Sequence, residues 1–197
     1  MKSTLGRADT AAKASLRPVI FQDTPLPGVV IVEPEMLADE RGAFARTFCA
    51  EEFEARGLDP RVAQTNISLN ARAGTLRGMH YQAAPHGEAK LVRVTRGAIY
   101  DVAIDLREGS PTRLRWFGTE LTAENRRALH IPAGCAHGFQ SLRDDTEVLY
   151  LMSTPYVPGA GRGVRWNDPA FAVEWPAPPP SGRTMSERDA TYPDFDA

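Results

Sequence analysis

Residues 94–106 read VTRGAIYDVAIDL, a stretch in which Gly97 separates two runs of apolar and β-branched residues. Such runs favour β-strands, and a glycine between them accepts the backbone conformations that a tight turn requires. The stretch therefore predicts two strands joined at Gly97.

Further strand-like runs lie on both sides of this stretch, and glycine, proline and asparagine separate them. Helix signals are scarce: Ala50–Arg56 is the best candidate, with Gly57 as its stop, and Thr122–Arg127 is either a short helix or a turn. Many short strands with almost no helix predict an all-β sandwich or jelly-roll barrel. The predicted strands are Leu91–Val94, Ile99–Leu106, Leu114–Leu121, Ala128–Ile131 and Val148–Met152.

Residues 131–139, IPAGCAHGF, carry Pro132, Gly134 and His137 in the spacing P-x-G-x-x-H. That spacing is typical of the second sequence motif of cupin barrels. The prediction is therefore an all-β, cupin-type jelly-roll barrel with a few short helices. His137 itself has two equally open roles, as a structural side chain with bonded ring nitrogens or as a ligand-binding one.

The histidine pattern argues against a bound metal. Metal-binding cupins take two histidines and a carboxylate from a first motif, but here Gln82 stands two residues after His80. His86 lies in a Pro-Gly turn, and we expect His130 to face solvent. Because a metal needs at least three good protein ligands in one place, we expect no bound metal. We expect no other cofactor either.

Composition sets the wider limits. The 197 residues fit one domain, and 42% apolar residues can form a substantial core. A net charge of -2 gives no general attraction to nucleic acid or anionic membranes, and no apolar run is long enough to span a bilayer. Two unrelated cysteines, Cys49 and Cys135, fit a reducing cytoplasm. We expect a polar, mobile N-terminal tail over residues 1–17 and a single domain over 18–197.

Polar side chains recur on or beside the strands between residues 72 and 90. His80 and Gln82 are two apart and so share a face of their strand, with Arg77 and Lys90 close by in the sequence. A solvent-exposed sheet face would explain any one of them. Together they favour a lined cavity, and small barrels often hold a ligand at the mouth.

At this point the sequence resembles the dTDP-4-dehydrorhamnose 3,5-epimerase family. The resemblance covers most of the chain, from Val30 to Pro176, in order and without large gaps. The matching segments are DERGAFARTF (39–48), QTNIS (64–68), GTLRGMHYQ (74–82), KLVRVTRGAIYDVAIDLREGSPT (90–112), IPAGCAHGFQSL (131–142), TEVLY (146–150) and RWNDPAFAVEWP (165–176).

The family resemblance implies a metal-free jelly roll. It implies a homodimer whose subunits exchange an N-terminal strand segment, and inversion of C3 and C5 of a dTDP-4-keto-6-deoxyhexose. It also implies catalytic roles for His80 as the base, Asp189 of SERD as its orienting carboxylate, Lys90, and Tyr150 as the acid on the opposite face. The positions it implies for substrate binding are Arg41 and Arg77 at the diphosphate, Gln64, Asn66 and Ser68 at nucleotide and sugar, Tyr156 near the base, and His137.

The chemistry suits these residue types. A C4 ketone acidifies the hydrogens on both neighbouring carbons, and imidazole titrates near neutral pH, as a general base should. An ammonium stabilises the enolate oxygen, and arginines match phosphate oxygens. The plainer alternatives are core packing for Tyr150 and an ordinary edge charge for Lys90.

Several other functions stay open at this stage. An enzyme of the same fold that inverts only one centre, or a ketoisomerase, is the nearest. A non-catalytic sugar-nucleotide-binding cupin is another, although His80, Lys90 and Tyr150 occurring together argue against it. A metal-dependent cupin oxygenase is the last.

Overall fold

The computed structural model describes residues 18–196, so the predicted tail over residues 1–17 lies outside the described residues. The described chain forms two short helices, α1 (Ala50–Ala55) and α2 (Glu187–Ala190), and thirteen strands. The strands are β1 (Ile20–Asp23), β2 (Val30–Glu33), β3 (Leu37–Asp39), β4 (Gly42–Phe44), β5 (Gln64–Asn70), β6 (Leu76–Gln82), β7 (Lys90–Arg96), β8 (Ala98–Asp105), β9 (Trp116–Thr122), β10 (Ala128–Ile131), β11 (Cys135–Ser141), β12 (Thr146–Met152) and β13 (Gly161–Gly163).

The strands form two main sheets and a small hairpin. One sheet has the order β1-β2-β10-β7-β12-β5, and the other has the order β13-β6-β11-β8-β9. Neighbouring strands that are far apart in sequence pair antiparallel, as in a jelly roll. Among the described strands, β3 and β4 pair only with each other. The predicted all-β, cupin-type fold is confirmed.

The main core lies between the two sheets. Val92 of β7 and Val148 of β12 contribute from one sheet, and Ile99 of β8 and Phe139 of β11 contribute from the other. All four are buried. Removing their apolar surface from water stabilises the fold by roughly 25 cal/mol per Å² of buried area. Tyr150 packs against the edge of this cluster.

Strands β6 and β11 approach each other unusually closely. A Cβ placed on Gly78 would lie 2.5 Å from the Cα of Gly138, and the φ of Gly78 is 133°. The pairing of β6 with β11 also shifts register between His137 and Phe139. Only glycine tolerates both the positive φ and the contact, so these two positions allow the strands to meet behind the cavity described below.

The predicted strands and helix are confirmed, with boundaries shifted by a few residues. Gly97 has φ 81° between β7 and β8, as the turn requires. Residues 123–127 form a turn and not a helix. Helix α2, which the sequence did not predict, lies in the C-terminal segment, most of which is irregular. No helix among residues 18–196 is long and apolar enough to cross a membrane.

Candidate active site

One cavity opens between the two sheets, with a volume of about 290 Å³. Strands β5, β7 and β12 line it from one sheet, and β6 and β11 line it from the other. Strands β5, β11 and β12 each present two alternate residues to this space, whereas β6 contributes Arg77 and His80, which are three apart. Its lining residues are Asn66, Ser68, Arg77, His80, Lys90, His137, Phe139, Tyr150, Met152 and Asp189.

His80 lies on β6 and pairs with a carboxylate from the far end of the chain. Its Nε2 lies 2.8 Å from Oδ1 of Asp189. The Asp189 side chain is only 7% exposed, whereas that of His80 is 41% exposed. With the neutral imidazole protonated on Nε2, Nε2–H donates to Asp189 and Nδ1 carries the basic lone pair.

Asp189 is kept ionised in spite of its burial. Burial alone opposes its charge, but hydrogen bonds from His80 and from the Gly78 N–H outweigh this effect and hold the pKa of Asp189 below its usual value. The Gly78 N–H lies 3.2 Å from Oδ2 of Asp189. A charged carboxylate beside the ring fixes the tautomer and stabilises an imidazolium.

The C-terminal segment is fastened to the barrel at the point where it supplies Asp189. Thr184 forms a parallel bridge with Thr75 just before β6. Ser186 then caps α2 by accepting a hydrogen bond from the Asp189 N–H at 3.1 Å. Two residues past α2, the Tyr192 ring packs edge-on against His80, with centroids 6.3 Å apart. These contacts bring Asp189 beside His80 although the two residues are 109 positions apart in the sequence.

Lys90 is the first residue of β7, and its side chain is 7% exposed. Its Nζ donates to Oε1 of Glu88 at 2.9 Å and to the carbonyl oxygen of His80 at 3.3 Å. The ammonium therefore lies beside the backbone of the histidine. Such partners offset the free-energy cost of burying the charge of a lysine.

Tyr150 on β12 lines the cavity from the sheet opposite His80. Burial raises the pKa of its hydroxyl well above the usual range, and the negative charge of Asp101 raises it further, against the opposing influence of Arg77 and a hydrogen bond from Ser68. The phenol is thus strongly favoured over the phenolate near neutral pH. Tyr150 thus presents a protonated hydroxyl at the cavity wall opposite His80.

His137 pairs with a carboxylate that sequence reasoning did not identify. Its Nε2 donates to Oδ1 of Asp101 at 2.7 Å, and both side chains are buried. Oδ2 of Asp101 has no hydrogen-bond partner within residues 18–196. The His137 ring meets Tyr150 edge-on, with centroids 6.0 Å apart. His137 thus has a hydrogen-bonded ring nitrogen and also lines the cavity, and its ligand-binding role stays a prediction.

Arg77 reaches the cavity from β6 and is, with Lys90, a cationic side chain of its lining. Its Nε donates to Oδ1 of Asn70 at 2.9 Å. Asn66 and Ser68 lie two apart on β5 and so present their side chains on the same face. Together these residues offer an arginine fork, an amide and a hydroxyl to a polar anionic ligand.

Three predicted site residues do not line this cavity. Oε1 of Gln64 accepts a hydrogen bond from the Tyr156 N–H at 2.9 Å, so these two lie together outside the cavity wall. Arg41 lies in the β3–β4 hairpin, 83% exposed and paired with Asp39. Within residues 18–196, Arg41 therefore lies apart from the cavity lining, and its contact with a ligand stays a prediction.

The expectation that His130 faces solvent is wrong. Its ring is buried, and Nδ1 donates to the Gly28 carbonyl at 2.9 Å. Burial lowers the pKa of His130, outweighing that hydrogen bond and the charge of Asp59. Strand β10 has sheet neighbours on both sides and is fully buried, which a local pattern of four residues does not reveal.

Among the described residues, no group of three His, Cys, Asp or Glu side chains is arranged to hold a metal ion.

Sequence reasoning also missed several neighbours of the site. Asp101 was detectable as a charged residue inside the apolar run of β8, and Glu88 as a charged residue just before β7. Phe139 and Met152 line the cavity at positions that read as ordinary core. Tyr192 carries no local signal, because its contact with His80 depends on the path of the C-terminal segment.

Comparison with known proteins shows close similarity in sequence and in overall fold to one enzyme family. The sequence model described as dTDP-4-dehydrorhamnose 3,5-epimerase matches residues 23–197. A protein of that name from Sinorhizobium fredii is 41% identical over 173 residues, covering 88% of each chain. A dTDP-4-dehydrorhamnose 3-epimerase from Streptomyces niveus is 42% identical, covering 82% of this chain and 77% of its own. The crystal structure of the 3,5-epimerase from Bacillus anthracis, with TDP and PPi bound, superposes with a TM-score of 0.85 at 36% identity, covering 90% of this chain and 100% of its own.

Proposed function

Because the chain belongs to the dTDP-4-dehydrorhamnose 3,5-epimerase family, we propose that it inverts C3 and C5 of a dTDP-4-keto-6-deoxyhexose. The reaction converts dTDP-4-dehydro-6-deoxyglucose into dTDP-4-dehydrorhamnose, as part of deoxysugar nucleotide synthesis. The observation that carries the proposal is the His80–Asp189 pair, which opens onto the same cavity as Lys90 and Tyr150.

His80 is the base. The C4 ketone acidifies the hydrogens at C3 and C5, and imidazole removes one of them while Asp189 stabilises the imidazolium. The electron pair left on carbon passes to O4 as an enolate. Lys90 lines the cavity and places an ammonium where that negative charge develops.

Tyr150 returns a proton to carbon from the opposite face. It lies on the sheet across the cavity from His80. Its raised pKa keeps the hydroxyl protonated until the proton is transferred to the carbon of the enolate. The configuration at that carbon is then inverted. Protons move, but no net electron transfer takes place, so the chemistry requires no redox cofactor.

Nucleotide-sugar binding is assigned to the polar rim of the same cavity. Arg77 offers its guanidinium to the diphosphate, and Asn66 and Ser68 contact nucleotide and sugar. Gln64 and Tyr156 extend this surface beyond the cavity wall, since the Tyr156 backbone is bonded to the Gln64 side chain. The TDP and PPi bound to the Bacillus anthracis enzyme support this ligand class.

The decisive experiment is NMR of dTDP-4-keto-6-deoxyglucose incubated with the protein in heavy water. We expect deuterium at both C3 and C5, together with the dTDP-4-dehydrorhamnose product. Absence of exchange at both carbons would exclude the proposed reaction. Elemental analysis of the purified protein tests the metal-free expectation separately from the activity.

A second candidate is inversion at C3 alone. It is favoured by the similarity of the chain to the 3-epimerase from Streptomyces niveus, which is as close as the 3,5-epimerase relative from Sinorhizobium fredii. The same NMR experiment separates the two, because the product of a 3-epimerase keeps the original configuration at C5.

We further propose a homodimer in which the N-terminal segment of each copy, including Arg41, closes part of the other copy's cavity. Two features support it. Arg41 is exposed on a hairpin that pairs with no other described strand, and β5 is a sheet edge whose Ile67 and Leu69 are exposed. Unpaired edges and exposed apolar side chains are what a second copy would cover. We also expect a cytoplasmic enzyme.

A further inference from the structure

Behind Lys90 lies a chain of hydrogen bonds that the catalytic scheme above does not use. Glu88 is 8% exposed, and its two carboxylate oxygens point to different partners. Oε1 accepts from the Lys90 ammonium at 2.9 Å, and Oε2 accepts from the Gln82 side-chain amide at 2.9 Å. Gln82 is also buried, at 4% exposure.

Gln82 carries the chain of contacts on to the loop that bears Tyr156. Its Nε2 also donates to the Pro155 carbonyl at 3.2 Å, and its Oε1 accepts from the Val157 N–H at 2.8 Å. Both neighbours of Tyr156 are therefore tied to the same side chain. A continuous path of hydrogen bonds, buried from Lys90 to Gln82 and partly buried at the loop, links Lys90 to the Tyr156 loop, defined here as residues 155–157.

We propose that Glu88 is a positioning residue that orients the Lys90 ammonium toward the cavity and couples it to the Tyr156 loop. An ammonium has three donors. One goes to Glu88 and one to the His80 carbonyl, which leaves the third for a ligand in the cavity that Lys90 lines. The catalytic consequence of this orientation rests on the proposed function, because Lys90 acts there on the enolate oxygen.

The carboxylate at position 88 matches its two donors with one oxygen each. Replacing Glu88 with glutamine leaves one acceptor oxygen for two donors, Lys90 and Gln82. Flipping the Gln82 amide to accept from the new amide would turn its own NH₂ toward the Val157 N–H. With Gln82 bonded as it is, each orientation of the new amide turns an NH₂ toward the Lys90 ammonium or the Gln82 amide, so we expect the substitution to displace the Lys90 ammonium or the Tyr156 loop.

The test is a double-mutant cycle of Glu88→Gln and Lys90→Met, with Glu54→Gln as the matched control on an exposed face of α1. We expect Glu88→Gln to lower kcat by about 10- to 100-fold, the scale seen when a partner behind a functional group is lost, and to change KM by about twofold or less. In the Lys90→Met background Glu88→Gln should cost much less, because the ammonium that it positions is gone and only the link through Gln82 to the Tyr156 loop remains.

Equal fold-losses in both backgrounds, or an unchanged kcat in Glu88→Gln, would overturn the proposal. Crystal structures of wild type and Glu88→Gln test whether Glu88 positions the Lys90 ammonium and the Tyr156 loop. This test needs no activity measurement and does not require Lys90→Met to fold. We expect the Lys90 ammonium or the Tyr156 loop to be displaced, and an unchanged arrangement contradicts the inference. If wild type itself exchanges no deuterium at C3 or C5, the proposed function fails, and these structures still decide the role of Glu88.

Discussion

At the scale of single residues, His80 and Tyr150 line one cavity from opposite sheets, and their assigned roles differ. His80→Asn should abolish both deuterium exchange at C3 and C5 and product formation, since no enolate forms. Tyr150→Phe should retain exchange, because His80 still takes and returns protons on its own face, while inversion drops by about 10²–10⁴-fold. NMR in heavy water measures both rates.

The informative quantity is the ratio of exchange to inversion in Tyr150→Phe. Phenylalanine keeps the ring that packs against the core, so circular dichroism should report an unchanged fold. If exchange and inversion fall by the same factor, Tyr150 is not the acid on the opposite face.

Asp189 should matter through the histidine and not through the ligand. Asp189→Asn removes the charge that stabilises the imidazolium and allows the wrong ring tautomer. We therefore expect kcat to fall by about 10²–10⁴-fold, as in other His–Asp pairs, with a smaller change in KM. Steady-state kinetics checks this, with the exposed Asp23→Asn as the control substitution. A rise in KM alone would place Asp189 in substrate binding instead.

At the scale of elements, Asp105 organises the turn that leaves β8. Its buried carboxylate accepts from the Arg107 guanidinium at 2.8 Å and from the hydroxyls of Ser110 and Thr112 at 2.6 and 2.7 Å. Burial disfavours its charge, but these hydrogen bonds outweigh burial and hold the pKa of Asp105 well below its usual value. Asp105→Asn should lower the free energy of unfolding at pH 7 by about 1–3 kcal/mol.

The sign of the pH dependence follows from that lowered pKa. The carboxylate stabilises the folded state fully above the usual aspartate pKa, and this contribution is lost as the pH falls toward the lowered folded value. The difference in unfolding free energy between wild type and Asp105→Asn should thus narrow in acid. Urea unfolding at a series of pH values between about 7 and 3 measures it, and a constant difference would rule out this origin.

At the scale of the whole molecule, the exposed position of Arg41 makes a prediction about subunit mixing. If Arg41 completes the cavity of the other copy, Arg41→Ala and His80→Asn damage different chains of the same site. Mixing the two inactive variants should then recover about a quarter of wild-type activity, since half of the randomly exchanged dimers carry one intact site.

The control is each variant mixed with itself, which should stay inactive after the same treatment. No recovery on mixing, in samples where mass spectrometry detects subunit exchange, would show that Arg41 does not act across subunits. A fully active monomer at micromolar concentration would contradict the dimer itself.

Much of the fold could be predicted from local patterns. The apolar runs around Gly97 and the P-x-G-x-x-H segment depend only on strand alternation and turn chemistry, which are properties of neighbouring residues. The segments around His80, Lys90 and Tyr150 were distinctive enough to indicate the family, which the comparisons confirm. The individual roles of these residues remain predictions.

The sequence by itself determined the strand pattern, the fold class and the family, because short-range periodicity and motif spacing encode them. Only the tertiary structure decided which side chains meet: Asp189 with His80, Asp101 with His137, and Glu88 with both Lys90 and Gln82. It also buried His130, which local reasoning placed in solvent. The physical reason is that burial and hydrogen-bond partnership depend on how distant strands stack, and no stretch of neighbouring residues specifies that.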